Sequence, residues 1–207
     1  MSTGAEDLAG NALVQDYTWT FTTATPPGPT CTKTGTPNAE TISGTSGADV
    51  ICADGGNDTI KGLGGNDILK GEGGNDKLLG GVGDDTLDGG LGSDTTSYSA
   101  SLTAVNTSLA TNRSTGEGSD TFVDEENLLG SSNADTLTGS GPNNKLTGGG
   151  GNDTEQGGLG NDTVIGSGGA DTVNSKDGVN GNDSLDGGNG TYTKVTDTTE
   201  KSIVGFP

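Results

Sequence analysis

The chain has 207 residues, among them 41 glycines, 29 acidic and 9 basic residues and no histidine, for a formal net charge of −20. That balance leaves no basic patch to neutralise phosphates, which argues against a nucleic-acid partner, and no apolar run approaches the ~18 residues of a membrane span. Only 26% of residues are hydrophobic, against roughly 45–50% in an average globular domain, so disorder would be the default were the sequence not strictly periodic.

Residues 1–25 stand apart. Asp16-Tyr17-Thr18-Trp19-Thr20-Phe21-Thr22-Thr23 alternates aromatic and polar side chains, the pattern of a half-buried strand. The preceding Asp7-Leu8-Ala9-Gly10-Asn11-Ala12-Leu13 reads as a turn leading into it. Together these residues resemble the last strands of a bacterial Ig-like domain, a module found in tandem in cell-surface proteins. A whole sandwich takes about 100 residues, so the resemblance implies a truncated tail and a chain that is the C-terminal piece of a longer secreted or surface protein. No cleavable signal peptide is visible at Met1. Thr25-Pro26-Pro27-Gly28-Pro29 opens a stiff linker and lead-in over 26–34.

Cys31 and Cys52 are the only cysteines. A lone thiol pair in an acidic, glycine-rich chain points to an oxidising compartment. If bridged, the two tie the lead-in to the first coil and contribute about 3 kcal/mol by loop closure, but spacing alone does not prove the bond. Between them GTPNAETIS (35–43) reads as a degenerate repeat, with Glu40 where the other repeats place aspartate.

Residues 44–97 carry the periodicity: GTSGADVIC, ADGGNDTIK, GLGGNDILK, GEGGNDKLL, GGVGDDTLD and GGLGSDTTS. Asp49, Asp58, Asp67, Asp76, Asp85 and Asp94 occupy the sixth place of each nonapeptide, and Ile51, Ile60, Leu69, Leu78, Leu87 and Thr96 the eighth. The glycine-rich half suits a tight turn. The other half suits a very short strand with one side chain inward and its neighbours outward. Two units per coil stack residues eighteen apart at about 4.8 Å, which puts Asp49, Asp67 and Asp85 on one edge and Asp58, Asp76 and Asp94 on the other. Carboxylates so close repel unless a cation lies between them. Carboxylate and carbonyl oxygens form the shell that Ca²⁺ accepts, whereas zinc or copper would want His or Cys. The pattern is that of G-G-x-G-x-D-x-U-x calcium-binding repeats, and the stretch resembles the RTX (haemolysin-type) family. The resemblance implies an all-β parallel β-roll, a β-helix solenoid, that binds several Ca²⁺ ions through the sixth-place aspartates.

The period breaks over 98–129. Ser97-Tyr98-Ser99 and residues 105–109 read as ordinary strands, GEGSDTF (116–122) recovers a repeat-like turn around Asp120, and Asp124-Glu125-Glu126 reads as a solvated acidic face. It returns over 130–190, with Asp135, Asp153, Asp162, Asp171 and, after a three-residue insertion within 175–180, Asp183 in the ligand place. Asn144 replaces a ligand aspartate, which weakens the adjoining site. Glu155 falls on an inward place, where a buried charge costs several kcal/mol, so a local distortion or an outward turn is expected. Over 191–207 the pattern is lost, Tyr192 takes an aspartate's place, and Ile203, Val204 and Phe206 are expected to cap the last coil. That tail is shorter than the secretion segment usual in Gram-negative RTX exports.

These readings converge on a calcium-dependent structural module, secreted or at the cell surface, that folds into a rigid rod on binding metal. No HExxH, serine elbow or catalytic cysteine context is present, so catalysis is not expected. The other functional readings are an adhesion or self-association module, and the non-catalytic C-terminal part of a secreted hydrolase.

Overall fold

The computed structural model describes residues 28–175, 183–195 and 202–204, the last three by their backbone alone. The Ig-like resemblance of residues 1–25, most of the insertion after Ser175, and Phe206 lie outside the described residues.

Each nonapeptide folds as a turn followed by a short strand. The first block holds β1 (Lys33–Thr34), β2 (Thr41–Ser43), β3 (Val50–Cys52), β4 (Thr59–Gly64), β5 (Ile68–Lys70), β6 (Lys77–Val82), β7 (Thr86–Asp88) and β8 (Thr95–Ser97). Next come β9 (Asn106–Ser108), β10 (Arg113–Thr115) and β11 (Ser119–Val123). The second block holds β12 (Asn127–Leu129), β13 (Thr136–Thr138), β14 (Lys145–Gly150), β15 (Thr154–Gln156), β16 (Thr163–Gly168), β17 (Asp171–Asn174), β18 (Ser184–Asp186), β19 (Tyr192–Val195) and β20 (Ser202–Val204). Strands one coil apart pair in parallel with residues eighteen apart in register, as in Ile51↔Leu69, Leu69↔Leu87 and Ile60↔Leu78. Two parallel-stacked sheets result, one 11-stranded and one 9-stranded, facing each other across a narrow core. The fold is an all-β parallel solenoid, as the nine-residue period predicts.

The eighth-place side chains form that core: Ile51, Ile60, Leu69, Leu78, Leu87, Leu137, Leu146, Val164 and Val173 are all fully buried. Each contributes about 2 kcal/mol of burial, with no second apolar layer to add to it. The turns explain the glycines. The second place of most repeats is left-handed even where glycine does not fill it, with φ 74° at Asp54, 80° at Leu63, 67° at Glu72 and 76° at Ser167. At the fourth place Gly65 combines φ +106° with a backbone approach in which a Cβ would lie 2.6 Å from Gly47 C. No other residue satisfies both conditions.

The interruption widens one sheet only. After β8 the chain runs ahead to lay β9 where it later templates β13, returns antiparallel through β10, and brings β11 back parallel to β7. On the opposite sheet β12 pairs directly with β8. Two strands are thereby added on one side without a counterpart on the other. Their inward residues are small: Thr107 and Ser114 are buried and share a hydroxyl hydrogen bond of 2.7 Å. Tyr98, Val105, Leu109 and Phe122 fill the remaining core.

Two expectations from sequence are corrected here. The run Asp124-Glu125-Glu126 is solvated only at Asp124, which is exposed: both carboxylate oxygens of Glu125 are buried, and Glu126 lies in the ligand row, its Oε2 accepting the Asp94 N–H at 2.8 Å. Glu155 neither distorts its strand nor turns outward. It is fully buried in β15, in register between Leu137 and Val173. A one-residue slip would flip the neighbouring positions of β15 as well, so the ladder on both sides outweighs the cost of the one carboxylate.

Cys31 and Cys52 are bridged, with Cα atoms 5.9 Å apart. The bond fastens β1 beside β3, where Lys33 pairs with Ile51. Reduction is expected to cost about 3 kcal/mol and to lower the calorimetric melting point by about 6–12 °C. An unchanged transition in reductant would show that the first coil is held by its ladder alone.

Candidate metal centre

The sixth-place aspartates do line two rows, and the backbone decides how their oxygens are used. Each Oδ1 accepts the main-chain N–H of the equivalent residue one coil back. Asp49 donates to Asp67 at 2.8 Å, Asp58 to Asp76 at 2.7 Å, Asp67 to Asp85 at 2.8 Å and Asp76 to Asp94 at 2.7 Å. The second block repeats this, with Asp135 donating to Asp153, Asp153 to Asp171, Asn144 to Asp162 and Asp162 to Asp183. Carboxylate therefore does not face carboxylate along a row. An amide separates them and fixes each rotamer.

The second oxygen is the one to account for. Oδ2 of Asp58, Asp67, Asp76, Asp85, Asp94, Asp153 and Asp171 is buried and accepts no hydrogen bond. An ionised oxygen left so costs several kcal/mol. These atoms also share a surrounding. A Cβ on Gly62 would lie 2.2 Å from Asp67 Oδ2 and 2.4 Å from the Gly80 carbonyl oxygen. On Gly71 it would lie 2.3 Å from Asp76 Oδ2 and 2.5 Å from the Gly89 oxygen. The first-place glycine is thus required by close approach, because an anionic oxygen and a carbonyl of the next coil converge beside it. At Asp58 the equivalent residue is Ala53, buried in the core, so that cradle is already narrowed by a methyl.

Three of the sequence-predicted positions are closed instead by donors. Asp49 Oδ2 accepts the Thr45 N–H at 2.6 Å and its hydroxyl at 2.9 Å. Asp135 Oδ2 accepts the Ser131 N–H at 2.5 Å. Asp120 accepts the Asp85 N–H at 3.1 Å through Oδ1 and the Tyr98 hydroxyl at 2.6 Å through Oδ2. Asn144 turns its Nδ2 to the Glu126 carbonyl at 2.7 Å and its Oδ1 to the Ser140 N–H at 2.6 Å, so an amide fills the place of an anion. Glu40 heads the row of Asp58, Asp76 and Asp94, donating its N–H to Asp58 Oδ1 at 2.7 Å while its own carboxylate accepts the Thr36 N–H.

Burial sets the electrostatics. Desolvation raises the carboxyls of Asp67 and Asp76, and pushes Asp85 up to about 7 and Asp94 and Asp153 up to about 6. Neighbouring acids add to the rise, while the amide on Oδ1 opposes it. Asp49 at the row's end is held below the ordinary value, chiefly by the Thr45 hydroxyl. Away from the rows, desolvation and Asp94 push Glu125 up to about 9, and desolvation and Asp153 push Glu155 up to about 8.

The donor set fits a hard cation that takes oxygen. It consists of orphaned carboxylate oxygens with carbonyls beside them, and the chain has no histidine and no free thiol. Among the described residues no three acidic or cysteine side chains converge, so main-chain oxygens must complete any shell. Glu126 was hidden from sequence reasoning because it follows Asp120 by six residues rather than nine. The acid-x-Leu spacing of Glu126 to Leu128 is the signal that finds it.

No curated protein matches the chain. The family model described as RTX calcium-binding nonapeptide repeat (4 copies) matches residues 34–69, 61–96, 129–154 and 156–180, more than half of the sequence. With the aspartate rows and the parallel roll, that match establishes that the chain belongs to the RTX calcium-binding repeat family.

Proposed function

We propose that this chain is a calcium-operated structural module of a secreted or surface protein, with no chemical step of its own. The observation that carries the reading is the row of buried aspartate Oδ2 atoms that no protein donor reaches, with carbonyls of the adjoining coil beside those of Asp67 and Asp76. Ca²⁺ would be held there by Asp67, Asp76, Asp85, Asp94, Asp153 and Asp171 with main-chain carbonyls, and by Asp162 and Asp183 in the equivalent places, whereas the Asp58 place, narrowed by Ala53, is expected to hold it least well. It supplies positive charge between the coils of a chain whose formal net charge is −20.

Secretion is supported by the disulfide and by the match between the roughly 10⁻⁴–10⁻³ M affinity of extracellular calcium modules and the calcium found there. Residues 35–97 and 130–190 act as two binding blocks on either side of a widened spacer at 98–129. Isothermal titration of the chelated chain with CaCl₂ is expected to show several ions bound per chain, saturating below about 1 mM, with MgCl₂ giving much weaker heats. Absence of saturable binding up to about 10 mM CaCl₂, tenfold above the weak end of that range, would falsify the reading.

A further inference from the structure

Glu155 is the one acidic residue in the eighth-place row among the described residues, and nothing in the repeat pattern gives it a role. Its side chain is 0% exposed, and neither Oε1 nor Oε2 takes part in a hydrogen bond. The Gly148 N–H approaches it and opposes the rise in its pKa only weakly, outside hydrogen-bond geometry. Where the side chain goes is informative. A Cβ built on Gly148 would lie 2.3 Å from Asp153 Oδ2, 2.5 Å from Glu155 Oε1 and 2.8 Å from the Gly166 carbonyl oxygen. Around the other first-place glycines the nearest atoms include at most one carboxylate and one carbonyl. This one gathers two carboxylates and a carbonyl, from the turn before β15, β15 itself and β16, with no donor among them.

Two buried anionic oxygens directed at one point, beside a carbonyl, is an arrangement that a divalent cation relieves and a hydrophobic neighbour does not. We propose that Glu155 is a metal ligand from inside the core. It adds a second carboxylate to the Asp153 site and makes that site the tightest Ca²⁺ site of the second block. The proposal rests on the calcium reading above. Ligand charge is the main lever by which oxygen sites tune calcium affinity. A site with two carboxylates in the interior would fill first in that block and fasten β13, β15 and β17 before its single-aspartate cradles load.

The test compares the wild-type chain with Glu155→Leu and Glu155→Gln, titrated with CaCl₂ in calcium-buffered solution and melted with and without chelator. Leucine restores the apolar side chain that Leu137 carries one coil earlier, so Glu155→Leu folds at least as well as wild type. It is expected to raise the melting point of the chelated chain while weakening one calcium-binding step, the tightest of the second block, about tenfold. Glu155→Gln keeps the shape and is expected to weaken the same step. If both variants bind calcium with wild-type affinity and stoichiometry, Glu155 is only a tolerated buried acid and the inference is overturned. If the wild-type chain itself binds no calcium, the broader proposal fails instead, and the two failures are distinct.

Discussion

Excess chelator is expected to remove most of the far-UV β signal of the calcium-loaded chain at pH 8 and to lower its melting point by about 15–25 °C. Each site held at tenfold excess over its dissociation constant adds roughly 1.4 kcal/mol, so about five filled sites add about 7 kcal/mol, and a domain of this size shifts by about 2–4 °C per kcal/mol. Neighbouring charges about 5 Å apart repel by about 3 kcal/mol at an effective dielectric of about 20. Against them stands a core one side chain thick, built from residues such as Leu69, Leu78 and Leu87. Chelation therefore removes the main counterweight to the acidic rows.

Protons are the only substitute for the cation, and they give the expectation a second arm. Asp85 rises to about 7, Glu155 to about 8 and Glu125 to about 9 in the folded chain, against about 4 when unfolded. Between about pH 4 and 9 the folded chain then binds more protons than the unfolded one. Metal-free stability must rise as pH falls through that window and be lost as pH rises. The chelated chain is expected to keep more β signal at pH 5 than at pH 8, while the loaded chain is folded at both. A chelated chain that keeps its full signal and melting point at pH 8 would show that neither metal nor protons hold the rows together.

The roll was legible in the sequence wherever turn and strand kept to nine residues. The places of Asp67 and Leu69 fit the parallel register, since a whole number of units per coil, here two, puts like on like. The interruption at 98–129 was legible but its chain path was not, because periodicity carries no record of chain direction. Nothing in the sequence of residues 106–123 states that β10 runs antiparallel between its neighbours. Glu126 escaped because its turn is three residues short, and its longer side chain makes up the reach to the Asp94 N–H. Glu155 is conspicuous in the sequence, but its fate is not. The cost of burying one carboxylate is plain from the repeat, whereas the ladder that holds Leu137 and Val173 on either side of it is visible only in three dimensions. The division of labour between Oδ1 and Oδ2 was likewise invisible, since it depends on amides eighteen residues away.

Substituting alanine for Gly71 tests that division at a single atom. The added Cβ would fall 2.3 Å from Asp76 Oδ2 and 2.5 Å from the Gly89 carbonyl oxygen, well inside contact distance, and would fill the cradle in which a cation is proposed to sit. Ala53 shows that the turn tolerates a methyl at this place, so Gly71→Ala is expected to fold. It should lose calcium at the Asp76 site and fall in stability by about 2–4 kcal/mol. Overpacking accounts for about 1–3 kcal/mol of that, and the lost ion for about 1.4 kcal/mol at tenfold excess. Gly73, two residues on, is the control. Its Cβ would meet only the Asp54 oxygen at 3.8 Å, and its φ lies outside the left-handed region. Val82 and Leu91 occupy the same place in later repeats. Gly73→Ala is therefore expected to be neutral or to gain up to about 1 kcal/mol by restricting the unfolded chain, with calcium stoichiometry unchanged. Equal losses in the two variants would mean that the glycines serve turn flexibility alone. A Gly71→Ala chain that is less stable in chelator by the same margin, yet binds its full complement of calcium, would place the cation elsewhere.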